Sequence, residues 1–229
     1  MDLLEAIKTR HSVRSYLKKA LPADIIEILQ KAISEYNRES GMNIQLITNE
    51  PKAFKGMASY GKFKGVENYI IIAGKKNPKL DEQTGYYGEH LVLLAQTLGL
   101  NTCWVGMTYK KVNGAFSLKD DEKVSCAIAL GYGETQGNSR KSKTIADVSN
   151  ADSNSPEWFI QGVRAALLAP TAMNQQKFRF TLTGRKTPTG KAIVEATRLF
   201  SIFGYTKMDM GIAKLHFELA AAKDNFDWE

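Results

Sequence analysis

Residues 169–176 read Ala169-Pro170-Thr171-Ala172-Met173-Asn174-Gln175-Gln176. This octapeptide follows an apolar helical run and precedes a strand-like stretch from Phe178 to Thr183. Its small and polar residues predict a turn that displays side chains and free backbone amides. Such a turn is a place to hold a ligand.

A basic cluster near the other end of the sequence, Arg10-His11-Ser12-Val13-Arg14, would suit an anionic ligand. If this cluster is extended, its alternation places both arginines and the serine on one side of the chain. Two guanidinium groups and a hydroxyl on one face can clamp a phosphate or the edge of a polar ring. The alternative is a solvated basic loop between two helices. A site built from both ends of the chain is the hypothesis that follows.

The composition fits a globular protein that binds a small anion. The chain has 229 residues, 43% of them hydrophobic, which allows one full core or two small, closely packed domains. Its formal net charge is +7, and basic residues cluster at 10–19, 52–64 and 140–143. A generally basic surface would explain the charge, but a small phosphorylated ligand explains the clusters better. Nucleic acid is a weaker alternative than a small phosphorylated ligand.

The sequence predicts a cytoplasmic protein with no membrane span, no disulfide and no metal site. Asp2 and Glu5 speak against a secretory signal, and the longest aliphatic runs are too short to cross a bilayer. Cys103 and Cys126 lie within apolar runs, which is typical of small buried residues. The histidines at 90 and 216 are interpreted as satisfied core or interface residues, because three histidines provide few metal ligands.

Hydrophobic periodicity predicts alternating helices and strands in the first half of the chain. Helices are expected over 2–9, from 21 to a frayed end at 35–41, over 51–57 and over 85–99. Strands are expected over 43–48, 69–73, 100–107 and 125–132. An exposed, mobile loop is expected over 59–65. Gly106 would let the backbone approach something flat, or would simply allow a tight turn. A run rich in Ser, Asn and Asp at 148–156 is the one candidate boundary.

The pattern of the first half begins again after this boundary. With Pro22 set against Pro156, an offset of 134 residues, helix, turn and strand recur in the same order. Further on, His90 lies opposite His216 at an offset of 126 residues. Chance similarity is the alternative, because an amphipathic helix before a strand is common.

The two halves lack complementary parts. The first has the Arg10–Arg14 cluster but only residues 35–41 where an octapeptide should be, whereas the second has the octapeptide but no basic cluster before its helix. If the halves pack as a pseudo-symmetric pair, only one of two equivalent clefts is complete. One site per chain is therefore expected.

Four segments together resemble the FMN-dependent nitroreductase family. The Arg10–Arg14 cluster is similar to the family's N-terminal R-R-S-V-R motif, and residues 169–180 are similar to its A-P-S-A-x-N-x-Q-P-W-R-F motif. Residues 88–106 resemble its central helix and the L-G-L-x-T-C-W-x-G segment that follows. Residues 129–132, with Arg140-Lys141 after them, resemble its terminal strand and basic loop.

This resemblance implies an α+β fold of mixed, mainly antiparallel sheets flanked by helices, with two pseudo-symmetric halves in one chain. The halves would be residues 1–147, with the basic side of the site, and the shorter 148–229, with the octapeptide, packed as one globular unit. In the family the two motifs normally meet across a homodimer interface. This chain therefore looks like a fused, duplicated branch that acts as a monomer with an internal pseudo-dimer.

The resemblance also implies FMN as the cofactor. The residues that would touch it come from both halves of the chain: Arg10, His11, Ser12, Arg14, Gly106, Arg140, Lys141, Lys143, Pro170, Thr171, Ala172 and Asn174. Arg10 and Arg140, helped by Lys141 or Lys143, would pair with the phosphate.

The other assigned residues would surround the ring system. Ser12 and Arg14 would lie along the ribityl chain and the pyrimidine edge. The Gly106 amide would face flavin N5 and is the one position assigned to the reaction centre. The octapeptide would close the site from the second half.

The function implied by the resemblance is an FMN-dependent oxidoreductase. It would transfer hydride from NAD(P)H through flavin N5 to a small organic acceptor such as a nitroaromatic or a quinone. The sequence departs from the family motif with Thr171 for serine, Lys177 for proline and Phe178 for tryptophan. Lys177 and Phe178 motivate an alternative, a flavin-binding or other ligand-binding protein that has kept the fold and lost turnover. A third hypothesis is a basic protein associated with nucleic acid.

Overall fold

The computed structural model describes residues 1–55 and 63–229. Its helices are α1 (Leu3–Thr9), α2 (Ala23–Ser40), α3 (Leu80–Thr97), α4 (Ile145–Val148), α5 (Glu157–Leu167) and α6 (Thr206–Ala221). Its strands are β1 (Asn43–Ile47), β2 (Asn68–Lys75), β3 (Asn101–Val105), β4 (Glu122–Gly131), β5 (Phe178–Lys186), β6 (Ala192–Arg198) and β7 (Phe226–Trp228). Short 3-10 turns lie at Ala172–Asn174 and Lys223–Asn225.

The strands form two sheets, one in each half of the sequence. An antiparallel sheet has the order β1-β2-β4-β3, and a second sheet has the order β5-β6-β7. The pair β6 and β7 is parallel, whereas β5 and β6 are antiparallel. The predicted fold class, an α+β arrangement of mixed, mainly antiparallel sheets flanked by helices, is confirmed.

The centre of the first sheet is buried on both faces. One face packs against α2 and α3 through apolar side chains such as Leu29, Ile33 and Leu91. The other face is covered by the extended segment after α1, where Val13 and Tyr16 are buried. Burial on both faces explains why β2 reads as a continuous apolar run and not as an alternating pattern.

Helices α3 and α6 cross at close range through two glycines. A Cβ atom at Gly85 would lie 2.0 Å from the carbonyl oxygen of Met208. A Cβ atom at Gly211 would lie 2.0 Å from the carbonyl oxygen of Glu82. Each helix therefore presents a glycine to the backbone of the other, and any side chain there would force the two helices apart.

The predicted end of the second helix is wrong. Residues 35–40 continue α2, and the helix stops at Gly41, which has a φ of 69°. The polar residues of this segment serve the helix end, because the Asn37 side chain bonds both the N–H and the C=O of Ile44, and Ser40 Oγ donates to Tyr36 O. The first half therefore has a helix where the octapeptide has a turn.

The helix predicted over 51–57 is also wrong in its described part. The chain turns at residues 53–54, because the Glu50 carboxylate accepts from the N–H groups of Lys52 and Ala53 at 2.9 Å each. The rest of that helix, and most of the loop predicted over 59–65, lie outside the described residues.

The remaining predicted elements are found with shifted ends. The helix predicted over 85–99 begins earlier, at Leu80, and the strand predicted to end at Thr183 continues to Lys186. Cys103 and Cys126 are buried and free, as predicted. Within residues 1–55 and 63–229, none of the helices has the length and apolar character needed to cross a membrane.

Candidate functional site

A cleft of about 390 Å³ opens where the two halves of the sequence meet. Half of the predicted site residues line it: Ser12, Arg14, Gly106, Pro170, Thr171 and Ala172. Parts of the basic cluster and of the octapeptide, more than 150 residues apart in sequence, thus line one cavity, whereas Arg10 and Arg140 are not among its lining residues.

Residues 10–14 reach the cleft because they run beside β3. Ser12 forms a β-bridge with Thr102, and the Val13 N–H donates to Thr102 O at 3.0 Å. Val13 is buried in the core, while Ser12 and Arg14 line the cleft. An apolar anchor between polar neighbours thus holds this segment in place.

Arg10 lies deeper than the rest of the cluster and is only 4% exposed. Its Nε and Nη1 atoms have no hydrogen-bond partner among the residues that the structure describes. Burial lowers the pKa of this guanidinium, and the charge of Glu89 acts in the opposite direction. A buried cation with free donors is unfavourable unless an acceptor is supplied.

Arg140 joins this basic region from the loop after β4. Its Nη2 donates to Ala169 O at 2.6 Å and to Leu167 O at 3.4 Å, so it reaches the start of the octapeptide. Its pKa is lowered to about 10, first by burial and then by the positive charge of Arg10. The two arginines are therefore close enough for their charges to repel each other.

The other predicted residues of this loop, Lys141 and Lys143, are hydrogen-bonded to the octapeptide. Lys143 Nζ donates to Gln176 O at 2.8 Å, and Asn174 Nδ2 donates to Lys141 O at 2.8 Å. The Lys141 side chain is exposed to solvent, and His11 packs with its Cβ beside Gly137. In the structure, Lys143 and Asn174 hold one wall of the cleft and do not line it.

The octapeptide is a strained turn that many hydrogen bonds hold in place. Met173, Asn174 and Gln176 have positive φ values of 52°, 53° and 44°, which are unfavourable for residues with a side chain. Gln176 is buried, and its Nε2 donates to Leu167 O at 2.9 Å, while its Oε1 accepts from Lys143 N at 2.8 Å. Such strain persists because the surroundings over-determine the conformation.

Gly106 lines the cleft beside an aromatic ring. A Cβ atom at this position would lie 2.5 Å from Tyr205 Oη and 2.7 Å from Tyr205 Cζ. Gly106 is not among the glycines with a positive φ. The close approach of a flat group accounts for this glycine better than a special turn conformation does.

Sequence reasoning missed several residues of the cleft: Trp104, Phe203, Tyr205 and Asp209. Asp209 is 3% exposed, and burial raises its pKa to about 6 against two hydrogen bonds that favour the charged form. A signal for this residue was present, since a lone carboxylate in the apolar run 208–213 is unusual for a buried helix. The aromatic residues gave no comparable signal.

Behind the cleft, a buried chain of hydrogen bonds connects α3, α6 and β3. His216 Nε2 lies 2.8 Å from Glu89 Oε1, its Nδ1 lies 3.1 Å from Ala165 O, and Trp104 Nε1 donates to Glu89 Oε2 at 2.9 Å. His216 is therefore a satisfied core histidine, as predicted. His90 packs against aromatic rings, and burial lowers its pKa to about 4.

Comparison with known proteins gives one family. A family model described as "Putative TM nitroreductase" matches residues 2–221. A search of curated protein sequences gave no match.

Solved structures of similar fold carry related descriptions. A Thermotoga maritima MSB8 protein described as a putative nitroreductase has a TM-score of 0.62 and 25% identity, over 96% of this chain and 83% of that chain. A putative nitroreductase in complex with FMN from Desulfovibrio desulfuricans has a TM-score of 0.50 and 19% identity, over 64% and 94% of the two chains. A Bacteroides thetaiotaomicron VPI-5482 protein described as a putative NADH dehydrogenase/NAD(P)H nitroreductase has a TM-score of 0.50 and 18% identity, over 64% and 95%. Because the family model spans almost the whole sequence, this chain belongs to the nitroreductase family.

Proposed function

We propose that this chain binds FMN in the cleft and is an FMN-dependent oxidoreductase. The observation that carries the proposal is the buried Arg10 guanidinium, two of whose nitrogen atoms lack a partner among the described residues. Arg140 adds a second, partly buried positive charge nearby. A phosphate held by both arginines would supply the missing acceptors and offset both charges.

The rest of the cleft fits a flat ligand with polar edges. Ser12 and Arg14 offer a hydroxyl and a cation on one wall, and the backbone of residues 170–172 forms another. The cavity volume lies in the range of small-ligand sites, roughly 300–1,000 Å³. Gly106 leaves room for the ring of Tyr205, which lines the same cleft. A protein of the same fold, from Desulfovibrio desulfuricans, is in complex with FMN.

Bound FMN supplies electron transfer at its ring, and the protein supplies position, charge and exclusion of water. Arg14 places a positive charge in the cleft, where it favours negative charge on the edge of a bound ring. Trp104, Phe203 and Tyr205 give the cleft apolar walls on which flat molecules stack and from which water is excluded. In this proposal no side chain has to transfer a proton at the reaction centre.

The electron donor we propose is NAD(P)H, and the acceptor is a small organic molecule such as a nitroaromatic or a quinone. Both have flat rings that suit the aromatic walls of the cleft. They would occupy the same cavity in turn, each after the other has left.

The substitutions behind the non-catalytic alternative lie away from the cleft. Phe178 is fully buried, and its ring centroid lies 5.5 Å from that of Phe180. The carbonyl oxygen of Lys177 accepts from the N–H of Leu199, the residue after β6, at 2.9 Å. Neither residue lines the cavity, so neither gives a reason to expect lost turnover.

Replacing Arg10 tests the proposal. Arg10→Met keeps a long, buried side chain and removes the donors and the charge, so the affinity for FMN should fall about 10- to 100-fold, as expected for the loss of charge-assisted hydrogen bonds. Arg38→Met is the matched control, because Arg38 is exposed on α2, away from the cleft. The measurement is a titration of apoprotein with FMN, followed by flavin fluorescence.

Two results would contradict FMN binding. One is a purified protein that is colourless and gains no flavin absorbance at about 450 nm on addition of FMN. The other is full affinity in Arg10→Met. The proposed donor is tested separately, by whether anaerobic NADH or NADPH bleaches the bound flavin; if neither does, the dehydrogenase step is wrong even though FMN binds.

A further inference from the structure

Asp209 joins α6 to the octapeptide through both of its carboxylate oxygens. Oδ1 accepts from the Ala172 N–H at 2.9 Å, and Oδ2 accepts from Gln175 Nε2 at 2.7 Å. The carboxylate is buried, and it lines the cleft beside the residues that it binds. It is therefore placed to fix the position of residues 170–172 on the cleft wall.

The same contact reaches a second wall of the cleft. Gln175 Nε2 also donates to Gly204 O at 3.0 Å, at the end of a loop formed by residues 199–204. This loop carries Phe203, which lines the cleft, and it leads into Tyr205, which lies against Gly106 and has a φ of 59°. One amide group thus connects the octapeptide, the loop 199–204 and Asp209.

Both connected segments contain or adjoin residues with unfavourable backbone conformations. The octapeptide has three non-glycine residues at positive φ, and Tyr205 is a fourth such residue at the start of α6. The Asp209 N–H donates to Tyr205 O at 2.9 Å, which is the first main-chain hydrogen bond of α6 and does not depend on the side chain at position 209. A strained segment relaxes when its hydrogen bonds to the surrounding structure are removed, because only those contacts maintain the strain.

We infer that Asp209 is a positioning residue that fastens the octapeptide and the loop 199–204 to α6, and so sets the shape of the ligand cleft. It acts through the backbone of Ala172 and the side chain of Gln175, and not by touching a reacting atom. Its effect on FMN rests on the proposed function, whereas its effect on the turn does not.

The direct test is hydrogen–deuterium exchange on ligand-free protein. Asp209→Ala removes both acceptors, so the amides of residues 172–176 should exchange at least about tenfold faster, while those of β2 should not change. Asp209→Asn keeps an acceptor for the Ala172 N–H, and exchange at Ala172 should stay within about threefold of the wild type. Asp120→Ala, at an exposed position, is the control and should exchange like the wild type.

Two outcomes would overturn the inference. Unchanged exchange over 172–176 in Asp209→Ala would show that the turn holds without this residue. Equal acceleration at Ala172 in Asp209→Asn and Asp209→Ala would show that the hydrogen bond is not what holds it. If Asp209→Ala exchanges fast throughout, including β2, then Gln175→Ala decides, because it removes the bonds of Gln175 to Gly204 and to Asp209 and leaves the bond between Asp209 and the Ala172 N–H in place. Faster exchange at residues 203–205 supports the inference, and unchanged exchange overturns it.

The link to the cofactor is read from FMN titrations of the same variants. If wild-type protein binds FMN, Asp209→Ala should weaken the affinity by about tenfold and Asp209→Asn should largely restore it. If wild-type protein binds no FMN, the proposed function fails, and the exchange experiment still decides the role of Asp209.

Discussion

Because Asp209 is buried, its ionisation makes the folded protein less stable as the pH rises. Its pKa in the folded protein is about 6, above the ordinary value of 3.8, so the folded state binds this proton more tightly than the unfolded state does. The resulting stabilisation is fully present below about pH 3.8 and is lost as the pH rises through about 6. Above pH 6, the ionised carboxylate therefore costs free energy of folding, up to about 3 kcal/mol.

Asp209→Asn should accordingly stabilise the protein at pH 8 and have little stabilising effect below pH 4. The expected gain in the free energy of unfolding at pH 8 is about 1–3 kcal/mol, since a neutral side chain of the same shape is buried without its charge. Thermal unfolding at both pH values measures it, with Asp120→Asn as the exposed control. A gain that is larger at pH 4 than at pH 8 would refute the assignment of the raised pKa to burial.

At the residue scale, the cleft residues that belong to short sequence motifs could be predicted from the sequence. Ser12, Arg14 and Pro170 stand in recognisable segments, and the structure places them in one cavity. Tyr205 and Asp209 belong to no such segment, and they reach the cleft only because α6 crosses α3 at close range. Positions that depend on the packing of distant elements leave little trace in local pattern.

At the level of elements, the crossing of α3 and α6 depends on its two glycines. Gly85→Ala or Gly211→Ala should each lower the free energy of unfolding by about 2–3 kcal/mol, because the new methyl group would meet a backbone carbonyl of the other helix. This loss outweighs the gain of about 1 kcal/mol that alanine normally brings to a helix.

Urea unfolding of both variants measures this prediction. Ser34→Ala, at an exposed position of α2, is the control and should be neutral or slightly stabilising. Stabilisation by either glycine replacement would mean that the helices can separate without cost, contrary to the packing described above.

The ends of elements were harder to predict than their existence. Polar residues at 35–40 read as the end of a helix, but Asn37 and Ser40 bond to nearby backbone groups and allow α2 to continue to Gly41. The buried strand β2, by contrast, was found within two residues of its limits because burial on both faces leaves an unbroken apolar run. Hydrogen bonds from side chains to the backbone determine where such helices end, and the sequence does not show which backbone groups these side chains will bond.

For the whole molecule, we propose that the chain is an internal duplication with 1–147 and 148–229 as its halves. Gly85 and Gly211 are 126 residues apart, the same spacing as His90 and His216. Their contacts are reciprocal, because each glycine meets a carbonyl three residues before its counterpart. A pair of helices related by a two-fold axis makes contacts of this kind.

A smaller cavity supports the same proposal and explains why one site is expected. It measures about 320 Å³, and α3 contributes Glu82, Gln83 and Tyr86 to it. These residues stand 126 positions before three residues of the main cleft, Met208, Asp209 and Ile212. Among the described residues, its one lining cation is Lys79, so it lacks the arginine fork that the main cleft has at Arg14.

The stoichiometry of binding should therefore be one FMN per chain, with the chain acting as a monomer. Titration of a known protein concentration with FMN, together with the mass of the complex by light scattering, measures both quantities. Two FMN molecules per chain, or binding only in a dimer, would contradict the proposed internal pairing.

The cleft is built from segments that lie far apart in the sequence, and this has a consequence for biosynthesis. Ser12 and Arg14 line one side of the cleft and residues 170–173 line another, and the carboxylate that joins the octapeptide to α6 comes at position 209. A ribosome makes the basic wall first, and the polypeptide then has to grow from position 14 to position 169 before the octapeptide begins, and to position 209 before the carboxylate that fastens it is added. Nascent chains arrested before α6 emerges should fail to retain flavin, and cofactor loading should follow the completion of α6.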